Sequence, residues 1–315
     1  MASPKKTGVD SEEQVPRVTI ITLNWNGKAD TIDCVASLRK LNYTNFDIIV
    51  VDNGSTDGSK STILARFPDI TVLENARNLG YARGFNSGLR YAYEHGADYF
   101  LVVNSDTTVD PEALRELIEA AEQDEKIGFA SGKVYWHERP DVLQTAGRES
   151  DPLTLVGRHI GSGEVDRGQF DVIRDLDFVD DVFLLVRRRV YEVVGGYDPM
   201  FFLYFEETDW CVRVRRAGFR IVYVPGARIW HKGIVGESNV MLSPRRIFYL
   251  KRFQIPFMRR HASPEQWNAY VRAVLIGLPH RILGYVKHGR FGAMMAYLRA
   301  LVIGFAGLLR GSHSG

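Results

Sequence analysis

Three acidic residues, Glu206, Glu207 and Asp209, stand in the string FEETDW directly after an apolar run, PMFFLY. Acids at the start of a helix and bases in its later turns complement the helix macrodipole, and that pattern is present here. A carboxylate beside apolar walls instead acquires the raised pKa that a general base needs. Both interpretations fit the string, and either one accommodates an ion pair between Asp209 and Arg213, four residues later.

A second group of polar residues stands where apolar runs end. The run FLVVN leads into Asn104-Ser105-Asp106, and the run FDIIVVD ends in Asp52. Turn chemistry alone explains each of these tips, because Asn, Ser and Asp are ordinary turn formers. In open α/β sheets, however, ligands gather at the carboxyl ends of strands, where an Asp can hold a divalent cation against a diphosphate.

Strands and helices alternate through the first third of the chain. The predicted strands cover 17–23, 46–52, 70–75 and 97–104, and the predicted helices cover about 28–41, 57–67 and 81–95. This alternation predicts an α/β protein with a mostly parallel central sheet flanked by helices, so that all four polar tips lie at one edge. The segments 127–136, 177–188 and 219–225 are expected to extend the sheet, and 137–176 is predicted to be loop-like.

Composition and missing motifs exclude several classes of protein. Cys34 and Cys211 have no CxxC spacing, which argues against a disulfide framework and a zinc site and favours a reducing cytoplasm. Neither GxGxxG nor GxxxxGK[ST] follows the first strand, so the usual dinucleotide and P-loop signatures are absent. Residues 1–15 lack the apolar run of a secretion signal, and both 1–15 and 311–315 are predicted to be flexible tails.

Charge is divided unevenly along the chain. Residues 244–310 contain twelve Lys or Arg and one acidic residue, Glu265, whereas the rest of the chain is net acidic. Basic and apolar residues alternate there, which predicts amphipathic helices that lie on an anionic membrane surface, or a helical subdomain packed on the sheet. The stretch 291–309 carries Arg299 near its centre and is predicted to be a poor transmembrane helix, which favours peripheral attachment.

Five strings together resemble glycosyltransferase family 2, whose nucleotide-sugar fold is called GT-A. They are VTIITLNWNG (18–27), IIVVDNGSTDGS (48–59), NLGYARGFNSGL (78–89), LVVNSDTTVDP (101–111) and FFLYFEETDWCVRVRRAGFRIVYVPGARIWH (201–231). They are in the order that the family has, between residue 17 and about residue 240. The resemblance implies a catalytic domain over 16–240 and an amphipathic helical region over 241–310. The NSD and NLGYARGFN strings are most similar to the bacterial branch that includes rhamnosyltransferases acting on lipid-linked acceptors.

The resemblance implies a role for each polar tip. Asp52 is expected to accept hydrogen bonds from the nucleotide base, and Arg77 with Asn78 to approach the ribose or diphosphate. Asp106 is expected to bind Mg²⁺ or Mn²⁺ together with His231, although a lone His beside an aromatic is more often structural. Asn104 stands where the family commonly has a first Asp, which leaves one carboxylate for the cation. The full expected donor-binding set is Leu23, Asn24, Asn26, Asp52, Asn53, Arg77, Asn78, Gly80, Asn86, Asn104 and Ser105.

The family places its general base at Glu207, and Asp209 is expected to orient the loop. The implied activity is an inverting transfer from a nucleotide-diphosphate sugar, first dTDP-rhamnose and then a UDP-sugar, to a polyprenyl-diphosphate-linked saccharide at the cytoplasmic face of the bacterial plasma membrane. Two other classes stay open: a metal-independent glycoside hydrolase with a carboxylate pair, and a non-catalytic membrane or nucleic-acid module. No DNA- or RNA-reading motif supports nucleic acid as a partner, and a homo-oligomer is compatible with the sequence.

Overall fold

The structure is a computed structural model that describes residues 15–151, 155, 157–233 and 243–311. The predicted tails, 1–15 and 311–315, lie almost entirely outside the described residues, and so does the predicted boundary near residue 240.

The first half of the chain forms the predicted alternation of strands and helices. β1 pairs in parallel with both β2 and β4, and β2 pairs in parallel with β3. Asn24 stands opposite Asp52, and Leu23 stands opposite Asn104, so the polar tips share one edge of the sheet. The elements are β1 Val18–Asn24, α1 Lys28–Leu38, β2 Phe46–Asp52, α2 Ser59–Arg66, β3 Thr71–Glu74, α3 Tyr81–Glu94 and β4 Tyr99–Asn104.

The second half makes the sheet mixed. β11 lies antiparallel between β4 and β6, and the strand order is β10-β12-β6-β11-β4-β1-β2-β3, with β5 beside β12 and β7 beside β6. The elements are β5 Thr107–Val109, α4 Ala113–Glu122, β6 Ile127–Trp136, β7 Arg139–Thr145, β8 Arg148–Ser150, β9 Gly157–His159, β10 Arg174–Asp175, β11 Phe183–Arg187, α5 Arg188–Val194, α6 Glu206–Arg216 and β12 Arg220–His231.

Three sequence predictions about these elements were wrong in detail. The segment 137–176, predicted to be loop-like, contains the short strands β7 to β10. Its charged residues hid the pattern, because several of them face partners of opposite charge rather than solvent. β11 is shorter than the predicted strand 177–188, and β12 continues beyond 225 to His231 through a register shift between Tyr223 and Arg228.

The core occupies both faces of the sheet. Alternate residues of β1 point to opposite faces, so Ile20 packs with α1 and α4 while Ile21 packs with α3. The central strands are almost fully buried, which explains why they are continuous apolar runs rather than alternating ones.

Three helices follow the sheet: α7 Pro244–His261, α8 Pro264–Lys287 and α9 Phe291–Gly311. Ser243 and Ser263 cap the first two, with a capping box between Ser263 and Gln266. Phe253 and Phe257 of α7 are buried against Phe201 and Phe205, which directly precede α6. This packing agrees with the predicted alternative of a helical subdomain.

α8 and α9 retain exposed apolar side chains. Leu275, Ile276 and Leu283 on α8 are each more than 60% exposed. On α9, the 18-residue window Phe291–Leu308 has mean hydropathy 1.6 and is 28% buried. By length and composition that window reaches the range of membrane-spanning helices, although the sequence prediction considered it too short and interrupted by Arg299.

Candidate active site

The loop after β2 forms the expected Asx turn. The Asp52 carboxylate accepts a hydrogen bond from the backbone N–H of Ser55 at 2.8 Å and is almost fully buried. The turn therefore aims and holds this carboxylate. The neighbouring loop after β1 docks onto it, because Asn26 accepts a hydrogen bond from the Thr56 N–H at 2.8 Å.

Two of the predicted donor-binding amides instead hold the loops together. Asn24 is fully buried, accepts a hydrogen bond from the Thr31 hydroxyl at 2.9 Å and donates to Ser55 at 3.0 Å. Asn53 accepts from the Leu79 N–H at 3.1 Å and donates to the Gly80 carbonyl at 3.1 Å. Their amides are occupied inside the protein, so they shape the edge of the sheet rather than face a ligand.

The loop before α3 approaches the body closely at Gly80. Its φ of 85° suits glycine, and a Cβ there would lie 2.6 Å from the Phe202 ring. Asn78 accepts a hydrogen bond from the Gly80 N–H at 2.8 Å, which closes the turn. Arg77 is exposed and makes no hydrogen bond or ion pair with any described residue, so its guanidinium is available to an anionic ligand.

The other members of the predicted donor-binding set differ in position. Asn86 both donates to and accepts from the Tyr197 backbone, so it fastens α3 to the loop after α5 and does not face the sheet edge. Leu23 packs under α3. Asn104 lies at the edge and accepts a hydrogen bond from the Tyr81 hydroxyl at 2.9 Å, and Ser105 beside it is partly exposed.

Asp106 and His231 are brought into direct contact. The β5–β12 pairing places the end of β12 beside the turn after β4, and the His231 Nε2 lies 3.1 Å from the Asp106 carboxylate. Burial acts to raise the pKa of Asp106, but the hydrogen bond and charge of His231 outweigh it, and the pKa lies below its usual value.

Gln144 sets the orientation of the His231 ring. Its Nε2 donates to the His231 carbonyl at 2.9 Å, which turns its Oε1 toward the His231 Nδ1, also at 2.9 Å. Nδ1 therefore carries a hydrogen, and Nε2 faces Asp106, as a donor when the ring is protonated and with its lone pair when the ring is neutral. Two acceptors 3.1 Å apart need a proton or a cation between them.

These residues fit a divalent cation that a substrate diphosphate helps to hold. Asp106 supplies a partly exposed carboxylate, His231 an imidazole nitrogen, and Gln144 the outer hydrogen bond that metal-ligating histidines commonly have. Among the residues that the structure describes, no group of three His, Cys, Asp or Glu side chains surrounds a common point. Asp106 and His231 would therefore supply two ligands to such a cation, and its other ligands would come from water or from a bound substrate.

The three acids of FEETDW occupy three different environments. Tyr204 and Phe205, both with positive φ, lead into α6 and set its start. Successive residues of a helix are rotated by about 100°, so neighbouring side chains point to different surroundings. Glu206 is buried in the body, Glu207 faces a cavity, and Asp209 points at α7.

Glu207 touches a buried arginine rather than the apolar walls that the sequence predicts. Arg148 Nη1 lies 3.1 Å from Glu207 and 2.9 Å from Asp180, and its Nη2 donates to Thr208 at 2.8 Å. The Nδ1 of His159 lies 3.2 Å from the other oxygen of Asp180. Arg148 thus lies between two acidic side chains, Glu207 and Asp180. Its contact with Glu207 holds that carboxylate in one orientation.

Two buried acids close to Glu207, Asp181 and Glu206, have raised pKa values. Burial, reinforced by the charge of Glu207, raises the pKa of Asp181 to about 8. Burial and the same charge raise the pKa of Glu206 well above its usual value. One carboxylate oxygen of each has no hydrogen-bond partner among the described residues. Burial therefore favours the protonated form of both groups, which lessens the repulsion that they exert on Glu207.

Asp209, which the sequence predicts to orient the loop beside the general base, is not among the residues that line the cavity. It is fully buried and accepts hydrogen bonds from Arg213 Nε at 2.7 Å, as expected, and from His261 Nε2 at 2.7 Å. Arg260 also reaches it at 3.2 Å. Burial alone would raise its pKa, but these partners lower it. Asp209 therefore positions α6 against α7.

One cavity of about 570 Å³ joins the two halves of the site. Glu207 lies on one side of it, and His231 lies on another, in contact with Asp106. Arg246 and Leu250 of α7 close it from the side of the C-terminal helices. The cavity thus lies between a candidate cation site and a carboxylate oriented by an ion pair.

Sequence reasoning missed Arg148, Asp180, His159 and Gln144. Three of them, Gln144, Arg148 and His159, lie in the segment 137–176 that was predicted to be loop-like. The doubled acid in FVDDVF, directly before β11, was the one available signal, because paired acids at the start of a buried strand require compensation.

Comparisons with known proteins agree with this geometry. The family model described as Glycosyl transferase family 2 matches residues 17–195. The N-acetylglucosaminyl-diphospho-decaprenol L-rhamnosyltransferase of Mycobacterium tuberculosis is 28% identical over an alignment of 216 residues, which covers 62% of this chain and 70% of that protein. The dTDP-rhamnosyl transferase RfbF of Shigella flexneri is 22% identical over 292 residues, covering 88% and 92% of the two chains.

Solved structures share the fold. The mannosyltransferase PcManGT from Pyrobaculum calidifontis, in complex with GDP-Man and Mn²⁺, superposes with a TM-score of 0.57 at 16% identity, over 91% of this chain and 86% of that one. GalNAc-T7 with UDP, GalNAc and Mn²⁺ has a TM-score of 0.58 at 13% identity, over 70% and 44%. The family model covers more than half of the 315 residues, so the chain is a GT-A enzyme of glycosyltransferase family 2.

Proposed function

We propose that this enzyme transfers a sugar, L-rhamnose from dTDP-rhamnose in the first place, to a hydroxyl group of a polyprenyl-diphosphate-linked saccharide in cell-envelope polysaccharide synthesis. Two relatives support the choice of sugar, since both are named for rhamnosyl transfer, and one is named for a diphospho-decaprenol acceptor. The observation that carries the proposal is the single cavity lined by both Glu207 and His231.

The proposed chemistry is one displacement. Glu207 takes the proton of the acceptor hydroxyl as the oxygen attacks the anomeric carbon, and the leaving nucleoside diphosphate departs from the opposite face, which inverts the anomeric configuration. Arg148 keeps the Glu207 carboxylate turned toward the cavity. The partly exposed Asp180 shares that guanidinium, so Arg148 does not neutralise Glu207 alone.

Charge on the leaving diphosphate needs stabilisation. Arg77 offers an unpaired guanidinium at the edge of the sheet, and Asp106 with His231 would hold Mg²⁺ or Mn²⁺ there. Such a cation, when bound, neutralises the charge that develops on the phosphate oxygens. Asp52 is the proposed contact for the nucleotide base.

The C-terminal helices support a peripheral location on the cytoplasmic face of the membrane. The exposed apolar residues of α8 alternate with arginines, and Glu265 is the one acid of residues 244–310. Such a surface lies favourably at the boundary between anionic head groups and acyl chains.

A transfer assay tests the proposal. Purified enzyme is incubated with a panel of nucleotide sugars, a short-chain lipid-diphosphate saccharide and Mg²⁺ or Mn²⁺, and the product is identified by mass spectrometry and its anomeric configuration by NMR. We expect Glu207→Gln to lower kcat at least 100-fold, because removing a general base typically costs 10²–10⁴-fold. The exposed Glu164→Gln is the matched control. Product with retained configuration, or full activity of Glu207→Gln or in EDTA, would refute the mechanism.

A further inference from the structure

A second cavity, of about 770 Å³, lies between α7 and α9 on the far side of α7 from the candidate active site. Phe253 and Pro256 of α7 line one wall, and Val302, Ile303 and Leu308 of α9 line the other. Val302 is 69% exposed at the mouth. We propose that this cavity, the α7–α9 groove, binds the phosphate head and upper acyl chain of an anionic bilayer phospholipid.

The groove exists because of two glycines in α9. A Cβ on Gly304 would lie 2.5 Å from Ile255 and 3.1 Å from the Arg252 carbonyl, so the helices touch closely at that turn. A Cβ on Gly307, one turn later, would meet nothing within 4 Å. Close contact at one turn and open space at the next produce a groove with apolar walls.

Two arginines at the groove, Arg252 and Arg259, have no acidic partner among the described residues. Arg252 lies 5.1 Å from the centre of the Phe253 ring, and Arg259 lies 5.9 Å from the centre of the Trp267 ring. Neither guanidinium has an ion pair with any described residue, whereas Arg260 beside them is paired with Asp198. A guanidinium held on an aromatic ring presents its N–H groups in a fixed fork, which matches a phosphate.

Two observations favour a bilayer phospholipid over other anionic ligands. The aromatic pairs Phe201–Phe253 and Phe205–Phe257, at 5.7 and 5.1 Å between ring centres, lie between the groove and the candidate active site, so a phosphate bound in the groove is not the one that reacts beside Glu207. An acidic peptide would leave the exposed Val302 in water, whereas an acyl chain covers it. The inference rests on the peripheral membrane location in the proposed function.

Vesicle binding tests the charges of the groove. Full-length enzyme is sedimented with phosphatidylcholine vesicles that contain none or about a third phosphatidylglycerol. We expect the Arg252→Gln, Arg259→Gln double variant to bind the anionic vesicles 10- to 30-fold more weakly, because each arginine near the surface contributes about tenfold or less. The double variant Arg66→Gln, Arg167→Gln removes the same charge from exposed positions on the α/β domain, away from the C-terminal helices, and we expect a loss of threefold or less.

Filling the groove tests its shape without changing its charge. Gly307→Leu places a side chain in the open part of the groove, and Gly277→Leu, on α8, is the matched control because a Cβ there also meets nothing within 4 Å. We expect Gly307→Leu to lose the preference for anionic vesicles and Gly277→Leu to keep it.

The outcomes separate the groove from the rest of the proposed function. Equal losses in the two arginine pairs, or an unchanged preference in Gly307→Leu, would show diffuse charge attraction and overturn the groove as a site. An enzyme that binds neither type of vesicle would overturn both the groove and the peripheral location. Transfer to a short-chain soluble acceptor, measured in the same preparations, reports on the catalytic proposal separately.

Discussion

Removing Arg148 is expected to destabilise the enzyme strongly at neutral pH. The side chain is 8% exposed and lies between two carboxylates, Asp180 and Glu207, that are each 16% exposed. Arg148→Met keeps the length of the side chain but leaves both acids without their buried counter-charge. Breaking a buried ion pair by removing one partner costs about 3–5 kcal/mol, so we expect a loss of about 3 kcal/mol in the free energy of unfolding at pH 7.

The loss should depend on pH in a defined direction. Burial acts to raise the pKa of Asp180, but the charge of Arg148 and the nearby His159 outweigh it, so the pKa lies well below its usual value. A depressed pKa contributes stability that is fully present above the unfolded value of about 3.9 and is lost as the pH falls through the folded value. In Arg148→Met the buried acid takes up a proton more readily. The difference from wild type should therefore be largest near pH 7 and smaller near pH 4.

Urea unfolding monitored by tryptophan fluorescence measures this loss, since Trp210 is fully buried. With a slope of about 3 kcal/mol per molar urea, a 3 kcal/mol loss lowers the midpoint by about 1 M. Arg158→Met is the matched control, because Arg158 is 82% exposed and its ion pair with Glu149 should contribute less than about 1 kcal/mol. Equal midpoints for the two variants at pH 7, or a gap that widens on acidification, would refute the reasoning.

Two further predictions concern the loops and the candidate cation site. Gly80→Ala should lower the free energy of unfolding by more than about 3 kcal/mol, because the backbone conformation of Gly80 excludes a Cβ and the Phe202 ring occupies the space. Gly96 also has a positive φ, but the space around it is open, so the control Gly96→Ala should cost about 1 kcal/mol. The urea titration described above measures both losses. Gln144→Leu should weaken the binding of Mn²⁺ about 10- to 100-fold in the presence of a nucleoside diphosphate, because the His231 imidazole loses its outer hydrogen bond. Electron paramagnetic resonance of the free Mn²⁺ measures this affinity. An unchanged affinity would mean that His231 is not a metal ligand.

The sheet edge was predictable because its signal is local. Apolar runs of strand length, each followed by a polar turn, predict strands and their order from residue periodicity alone. β1 to β4 accordingly lie within two residues of their predicted bounds at both ends. The later strands were harder to predict. β7 to β10 are short and charged, and their pairing depends on partners distant in the chain, such as the Phe178 backbone that bonds Arg148.

The candidate site was predictable by residue type but not by side-chain direction. FEETDW presents three similar acids, and the 100° rotation per helical residue, together with what packs on each side, sends them to different environments. Asn24 and Asn86 stand in strings shared with the family, yet their amides bond within the protein. Only packing decides whether an amide faces a ligand or a neighbouring loop.

The sequence by itself determined the α/β alternation, the shared edge of polar tips, the basic C-terminal helices and the family resemblance, because each depends on residues close together in the chain. The tertiary structure decided the contacts made across long separations. It placed Arg148 between Asp180 and Glu207, Gln144 behind His231, and His261 on Asp209. The physical reason is that a buried charge needs an opposite charge beside it in space. The two partners can be far apart in the chain, so the sequence alone does not show which residues pair.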